Sequence, residues 1–196
     1  TGSNNWAVGN SRTATGAPLV ANDPHLGLGL PSIWYQVHLR APGFEVAGMT
    51  LPGVPGVVLG QGTNIAWAFT NVELDDHDLS FERLSSDGRS VARGSEWLPI
   101  VETEETIRVK GGAVELLRLQ ATDRGPLLAA DPARNLPPRS LAWTAYELAD
   151  PLSVFLALAR ARNVDEALAC LDGYVAPAQH LVIADREGGM AYAMLG

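Results

Sequence analysis

Short stretches of alternating apolar and polar residues, separated by turns that contain glycine, run through most of this chain. The clearest pair is residues 106–110 and 113–119, which flank Gly111-Gly112. Alternation with a period of two predicts β-strands, and a glycine pair between two such runs predicts a hairpin with one face half-buried. Further hairpin turns are indicated at Asp87-Gly88 and at Glu187-Gly188-Gly189. The pattern therefore predicts a chain that is mostly β-strand.

One helical region interrupts the predicted strands. Before it, residues 60–70 are predicted as strand, turn and strand, and residues 140–146 as a further strand. Residues 151–162 then have the composition of a helix, and Asn163 can cap a second helix over residues 164–171. The sequence contains no internal repeat or low-complexity segment. It therefore predicts strands on both sides of one helical region.

Composition limits the function classes. A chain of 196 residues is long enough for one domain, or one and a part, with a substantial core. Its 14 Lys and Arg against 22 Asp and Glu give a net charge of −8 and no basic stripe, which argues against nucleic acid as a partner. The single Cys170 cannot form an internal disulfide. No apolar run approaches the ~18 residues of a membrane-spanning helix, so no span is predicted.

The best candidate for chemistry is Ser3. The sequence has no Gly-x-Ser-x-Gly elbow, no His-Glu-x-x-His helix and no phosphate-binding Gly-x-x-x-x-Gly-Lys loop. A serine so close to a chain start can become the N-terminus. Its α-amine, with an ordinary pKa of about 7.7 to 8.0, then serves as the base that activates its hydroxyl. Taken by position alone, the same serine is an ordinary solvated residue.

Several short strings carry a resemblance through their order and spacing. They are Ser3-Asn4-Asn5-Trp6, Asn22-Asp23-Pro24-His25, Leu51-Pro52-Gly53-Val54-Pro55-Gly56, Asn64-Ile65-Ala66-Trp67, Asp75-Asp76-His77-Asp78 and Ala176-Pro177-Ala178-Gln179-His180. Together they resemble the penicillin acylase family of N-terminal nucleophile hydrolases, at the start of the β chain that self-processing releases. The resemblance covers nearly the whole sequence and is densest in residues 3–79.

The resemblance implies a fold and a place in a larger protein. The fold is of the α+β class, a four-layered α/β/β/α sandwich of antiparallel sheets, present here as an incomplete fragment. Residues 1–2 would be the remnant of the linker before the processing site, and residues 3–196 the N-terminal part of the β chain. Implied partners are the α chain of the same precursor and the remainder of the β chain, in a periplasmic or secreted protein.

The resemblance also implies a mechanism. Ser3 attacks an amide carbonyl after the Gly2-Ser3 bond has cleaved itself. While that bond is intact the amine is locked in a peptide, so the chain as written is expected to be inactive. His25 is expected to orient the nucleophile or its amine. The backbone amide of Asn71 is expected to donate to the oxyanion, with a second donor beyond Gly196.

The acidic run at residues 73–78 has two interpretations. It is either a solvated loop or part of a Ca²⁺ site, since clustered carboxylate and carbonyl oxygens suit that ion. The resemblance favours structural Ca²⁺ in the complete protein, held by the Asp75 and Asp78 carboxylates and the His77 carbonyl, with other ligands outside the chain. No cofactor is expected for catalysis.

The acyl pocket is assigned by the same register from Ser3. The positions that match pocket-lining residues of relatives are Leu26, Ile33, Tyr35, Val58, Leu59 and Phe69. Each taken alone could equally be ordinary core. As a set they imply a small-molecule amide substrate with an apolar acyl group, such as a β-lactam antibiotic, an acyl-homoserine lactone or a lipopeptide.

Two other functions stay open from the sequence. The chain could belong to an unprocessed, catalytically inactive homologue that acts as a binding or structural module. It could also be a calcium-binding, β-rich domain without enzymatic activity. Release of Ser3 as an N-terminus and turnover of an acyl amide would distinguish a self-processing acylase from both of these alternatives.

Overall fold

A computed structural model describes residues 2–147 and 150–196. The chain divides into two compact units. Unit 1 comprises residues 1–74 with 147–196, and unit 2 comprises residues 75–146. The candidate nucleophile, the cavity beside it and the helices all belong to unit 1.

Strands make up most of both units. They are β1 Asn4–Val8, β2 Leu19–Asp23, β3 Tyr35–Ala41, β4 Phe44–Thr50, β5 Leu59–Gly62, β6 Ile65–Asn71, β7 His77–Phe81, β8 Ser90–Arg93, β9 Glu96–Pro99, β10 Val101–Arg108, β11 Val114–Thr122, β12 Gly125–Leu128, β13 Arg139–Trp143, β14 Gln179–Asp185 and β15 Met190–Leu195. The α-helices among the described residues are α1 Pro151–Leu158 and α2 Val164–Ala169. The predicted mostly-β chain with one helical region is confirmed.

Unit 1 is built on a six-stranded antiparallel sheet in the order β15-β14-β6-β5-β4-β3. One face of its central strands carries Trp67, Leu181 and Ile183, each at most 1% exposed. Both helices pack on this face, where Leu158 of α1 and Ala167 of α2 are fully buried. Burial of such apolar side chains is the main stabilising contribution to a domain of this size.

The hairpin of β1 and β2 lies on the opposite face of the same sheet. Successive strand residues point to opposite faces, so the face behind Trp67 and Ile183 carries Ala66, Ala68 and Val182. Backbone oxygens of β6 and β14 there accept hydrogen bonds from the hairpin. Helices, sheet and hairpin thus give three successive layers, in the order that the α/β/β/α expectation requires.

The helices end earlier than the sequence suggests. Asp150 caps α1 by accepting from the backbone of Ser153, and Asn163 caps α2 as expected. However, α1 ends at Leu158 rather than at residue 162, because the chain tightens there into i→i+3 hydrogen bonds such as Arg160 to Ala157. No helix within residues 2–147 and 150–196 is long and apolar enough to cross a membrane.

Unit 2 contains a five-stranded sheet in the order β10-β11-β12-β13-β7 and a separate β8-β9 ribbon. The hairpin around Gly111-Gly112 is confirmed as β10 and β11. Its expected half-buried face is not present in the structure, since β10 is exposed at every position. Leu117 and Leu119 remain about 45% exposed on the neighbouring strand.

The interior of unit 2 holds a charged cluster. The Arg93 guanidinium donates to both oxygens of Glu82 at 2.6 and 2.8 Å, and also to Asp123. The Glu82 side chain is only 1% exposed. The bonds from Arg93 hold the pKa of Glu82 and of Asp123 below their ordinary values of 4.5 and 3.8. A buried carboxylate with a two-pronged arginine partner is stabilising only while both charges are present.

We therefore expect unit 2 to lose stability in acid. The lowered pKa values mean that folding favours the charged carboxylates, so their contribution is complete above pH 4.5 and is lost as the pH falls below it. Glu82→Gln should cost about 3 kcal/mol of unfolding free energy at pH 7, because it removes the buried charged partner of Arg93 and leaves only the partly exposed Asp123. Urea unfolding at pH 7 and pH 4 measures both effects.

Glu104→Gln is the matched control. Glu104 pairs with Arg118 at 3.8 Å, and both side chains are at least half exposed. Exposed pairs of this kind contribute less than about 1 kcal/mol. Equal unfolding free energies for the two variants at pH 7, or an unchanged acid response in Glu82→Gln, would contradict a stabilising role for the cluster.

Candidate active site

Ser3 immediately precedes β1, and strand pairing fixes its surroundings. Asn4 pairs with Asp23 in the β1-β2 hairpin, so the residues that follow β2 lie beside Ser3. The backbone N–H of His25 donates to Ser3 Oγ at 2.9 Å. The hairpin register therefore brings the first candidate residue into contact with the second.

The imidazole of His25 contacts the peptide bond before Ser3 rather than the hydroxyl. Its Nδ1 lies 2.6 Å from the Gly2 carbonyl oxygen, and its Nε2 lies 3.1 Å from Asp23 Oδ2. Both partners are acceptors, and the tautomer with its proton on Nδ1 donates to the Gly2 carbonyl oxygen. The His25 backbone thus contacts Ser3 Oγ, while the His25 side chain contacts the Gly2 carbonyl oxygen.

Two asparagine side chains attach the hairpin to the six-stranded sheet. Asn22 accepts from the Phe69 N–H at 2.9 Å and donates to the Phe69 carbonyl at 3.0 Å. These two bonds take the place of strand pairing at Phe69, because the pairing of β5 with β6 ends at Trp67. Asn5 donates to the carbonyls of Ala68 and His180 at 3.0 and 3.3 Å. Four backbone groups of β6 and β14 thereby bind the β1-β2 hairpin that follows Ser3.

The backbone of Asn71 is turned toward this region. Val72 N–H donates to the Ala178 carbonyl, which makes these two residues a hydrogen-bonded pair of the β6-β14 ladder. Alternate residues of an antiparallel strand turn their N–H groups to opposite sides. Asn71 therefore directs its N–H away from β14, on the side where the Phe69 N–H meets Asn22. Asn71 and Ser3 line the same cavity on this side of β6.

A small cavity of ≈ 60 Å³ lies between Ser3 and the end of β6. Its lining comprises Ser3, Pro24, Leu26, Trp34, Val58, Leu59, Phe69, Thr70, Asn71 and Gln179. Four of the six assigned pocket residues, Leu26, Val58, Leu59 and Phe69, are thus brought together with the nucleophile. The Phe69 ring packs edge-to-face against Phe155 and stacks on Tyr174.

Ile33 and Tyr35 are not among the residues that line this cavity. They are 45% and 62% exposed. Trp34 lies between them and does line it. In an extended segment the neighbours of an inward side chain point to the other side, which explains their position.

Sequence reasoning did not single out four residues that shape the site: Asn22, Asp23, Trp34 and Gln179. Asn22 and Asp23 stood inside a motif string without an assigned role. Gln179 begins a strand of apolar residues, and a polar residue at such a position is a signal that could have been used. Trp34 likewise stood in a matching pair, Trp34-Tyr35, without an assigned role.

The acidic residues 75–78 lie at the start of unit 2, where β7 begins at His77. The Thr144 N–H to Asp76 carbonyl bond fixes the β7-β13 ladder so that the His77 carbonyl points away from β13, at the edge of the sheet. Asp75 and Asp78 are exposed. Throughout the described ranges, however, no three His, Cys, Asp or Glu side chains are grouped as metal ligands.

The His77 imidazole has a different partner. Its Nδ1 lies 2.8 Å from Asp76 Oδ1, and this hydrogen bond raises the pKa of His77 and lowers the pKa of Asp76. The ring is therefore held by a neighbouring carboxylate, although the His77 side chain stays 59% exposed.

Comparison with known proteins places this geometry in a family. The Penicillin amidase family model matches residues 1–196. Penicillin acylase 2 proenzyme from Pseudomonas sp. (strain SE83) is 40% identical over 132 residues, which is 67% of this chain and 17% of that protein. Acyl-homoserine lactone acylase QuiP from Pseudomonas aeruginosa is 34% identical over 198 residues, covering 94% of this chain and 23% of its own length.

A solved structure shows the same fold. The thermostable penicillin G acylase from Alcaligenes faecalis superposes with a TM-score of 0.82 at 26% identity, over 98% of this chain and 35% of that one. The chain spans about a fifth of the length of the two curated relatives, so it is a fragment of the whole fold. With a family model matching from the first residue to the last, the chain belongs to the penicillin amidase family.

Proposed function

We propose that the complete protein is an amide hydrolase that removes an acyl group from an amide, with Ser3 as its N-terminal nucleophile. The observation that carries this proposal is the position of Ser3 Oγ. It lies in a cavity shared with Asn71 and Phe69, next to a Gly2 carbonyl that is held by His25. The acylase names of two relatives support amide hydrolysis as the reaction class.

Maturation would begin on the Gly2-Ser3 bond. His25 donates to the Gly2 carbonyl oxygen and draws electron density from its carbon, while Ser3 Oγ is the adjacent nucleophile. Attack forms a bond from Oγ to the Gly2 carbon and breaks the bond from that carbon to the Ser3 nitrogen, which receives the hydroxyl proton. Water then splits the ester, which leaves a Gly2 carboxylate and a free Ser3 amine and hydroxyl.

Turnover would reuse the same hydroxyl. The freed α-amine takes the Oγ proton as the hydroxyl attacks a substrate amide, the amine product leaves, and water releases the acid from the acyl-enzyme ester. The Asn71 N–H, turned away from β14, would donate to the oxyanion. Loss of one such donor costs roughly 2.7 to 4 kcal/mol of transition-state stabilisation.

The cavity wall indicates the acyl group. Leu26, Val58, Leu59 and Phe69 present apolar surface beside Ser3. Such a wall favours an aliphatic or aromatic acyl chain and discriminates only weakly between lengths, at roughly 1 to 3 kcal/mol per methylene. β-Lactam antibiotics, acyl-homoserine lactones and lipopeptides are the amides that we propose as candidate substrates.

Other parts of the proposal rest on family membership. The α chain of the same precursor and the remainder of the β chain would be the partners, in a periplasmic or secreted protein. The Asp75 and Asp78 carboxylates with the outward His77 carbonyl would be a partial Ca²⁺ site. These three groups would supply three to five of the 6–8 oxygen ligands that Ca²⁺ takes, since each carboxylate can bind through one or both oxygens, and the rest would come from other segments.

Hydrolysis by the complete protein tests the function. Processed protein should release equal amounts of carboxylic acid and amine from simple acyl amides, with saturation kinetics. Release should stop when the N-terminal amine of the β chain is blocked by acylation, since that amine is the proposed base. Absence of hydrolysis across aliphatic and aromatic acyl amides would instead support the inactive binding homologue.

A further inference from the structure

Two side-chain amides interrupt the apolar wall of the Ser3 cavity. Asn71 and Gln179 both line it, at the paired ends of β6 and β14. Gln179 is only 9% exposed, so its amide is a buried polar group. Burying an amide is unfavourable unless its hydrogen bonds are made, so its bonding has to be accounted for in full.

The two amides are joined to each other. Gln179 Nε2 donates to Asn71 Oδ1 at 2.8 Å and to the Ala178 carbonyl at 2.7 Å, which uses both of its hydrogens. Within the described residues, the bonds of this pair leave Gln179 Oε1 as an acceptor and Asn71 Nδ2 as a donor. The pair is therefore fixed in orientation and still has hydrogen-bonding capacity.

Trp34 adds a third polar group to the same lining. Its indole Nε1 is buried and has no hydrogen-bond partner among the residues that the structure describes. A buried donor without a partner is rare in a folded protein and requires an explanation.

We propose that the Asn71-Gln179 amide pair binds a hydroxyl group on the acyl chain, so that the preferred substrates are amides of hydroxy acids rather than of plain fatty or aryl acids. This inference rests on the proposed acylase function. A hydroxyl gives one donor and two acceptor sites, which match Gln179 Oε1 and Asn71 Nδ2. A plain alkyl chain would cover the pair and leave both groups without partners.

An apolar cavity and a hydrogen-bonding cavity predict opposite effects of an added hydroxyl on kcat/KM. A purely apolar pocket disfavours an added hydroxyl, because the hydroxyl loses its water without gaining a partner. A pocket that hydrogen-bonds the hydroxyl discriminates against the analogue that lacks it. The comparison of one acyl chain with and without a hydroxyl is therefore decisive, whatever its absolute rate.

The test uses the complete processed protein and three p-nitroanilides, of hexanoic, 2-hydroxyhexanoic and 3-hydroxyhexanoic acid. We expect kcat/KM for one hydroxylated isomer to exceed that for the hexanoyl amide by about tenfold. Gln179→Leu should remove or reverse that ratio, and Asn71→Ala should reduce it while keeping the backbone donor. Leu26→Ala alters the same cavity without removing an amide, so the ratio should persist there.

The outcomes distinguish failure of the proposed hydroxyl preference from failure of the proposed acylase function. Equal or faster hydrolysis of the hexanoyl amide by the unmodified protein would overturn the inference and leave the acylase function intact. Hydrolysis of none of the three, nor of aromatic acyl amides, would overturn the function itself. Should Gln179→Leu fail to fold, the ratio in the unmodified protein and in Asn71→Ala still decides.

Discussion

Ser3→Ala in the complete precursor should leave a single chain that is unbroken at residues 2–3 and does not hydrolyse acyl amides. Both proposed events need the same oxygen, because Ser3 Oγ lies next to the Gly2-Ser3 peptide bond, where it accepts from the His25 N–H, and Ser3 also lines the cavity. Removal of a catalytic nucleophile typically lowers kcat by about 10⁶-fold. Intact mass and product release measure the two events separately.

Ser11→Ala is the control for this substitution. Ser11 is an exposed serine in the loop of the same hairpin, between β1 and β2. It should leave cleavage and turnover unchanged. Ser3→Cys should still cleave but turn over poorly, because a thiol changes both the nucleophile and the leaving group. Amide hydrolysis by Ser3→Ala at the unmodified rate would move the nucleophile to another residue.

His25→Ala should slow self-cleavage by about 10²- to 10³-fold, the usual effect of losing one oxyanion donor. The reason is the 2.6 Å contact between His25 Nδ1 and the Gly2 carbonyl oxygen, where negative charge develops as Ser3 attacks. His25→Gln keeps an N–H donor of similar reach and should recover part of the rate. The appearance of a chain that begins at Ser3, followed by mass spectrometry over time, gives the rate constants.

His38→Ala provides a matched comparison. His38 is also an exposed histidine with a carboxylate partner, Glu45, at 3.0 Å, but it lies on β3, away from Ser3. Its loss should leave the cleavage rate unchanged. If His25→Ala cleaves at the unmodified rate and loses only turnover, the imidazole serves the mature enzyme alone and the contact with Gly2 has no catalytic meaning.

Local sequence patterns predicted the strands well where turns are specified by glycine. The β10-β11 hairpin and the turn between β5 and β6 follow directly from such signals. Helix ends were less well predicted, because the change from α-helical to 3₁₀ bonding after Leu158 leaves no mark in a run of alanine and arginine. Exposure of β10 was also missed, since alternation shows that a strand has two different faces and not that either is covered.

The candidate site was predictable only in part, and mainly through the family resemblance. Ser3 and His25 meet because of the register of one hairpin, which the sequence signals do not specify. The direction of the Asn71 N–H depends on ladder alternation, which requires the pairing with β14 to be known. The amide partnership of Gln179 with Asn71 joins residues 108 positions apart, beyond the range of any local pattern.

The measurement that tests the central claim most directly is intact mass with N-terminal sequencing of the precursor, expressed with its native flanking sequence. The account predicts two chains, one of which begins at Ser3, with the bond after Gly2 broken and no added protease. A single chain that remains continuous through Gly2 and Ser3, in folded protein, would contradict self-cleavage and with it the N-terminal nucleophile.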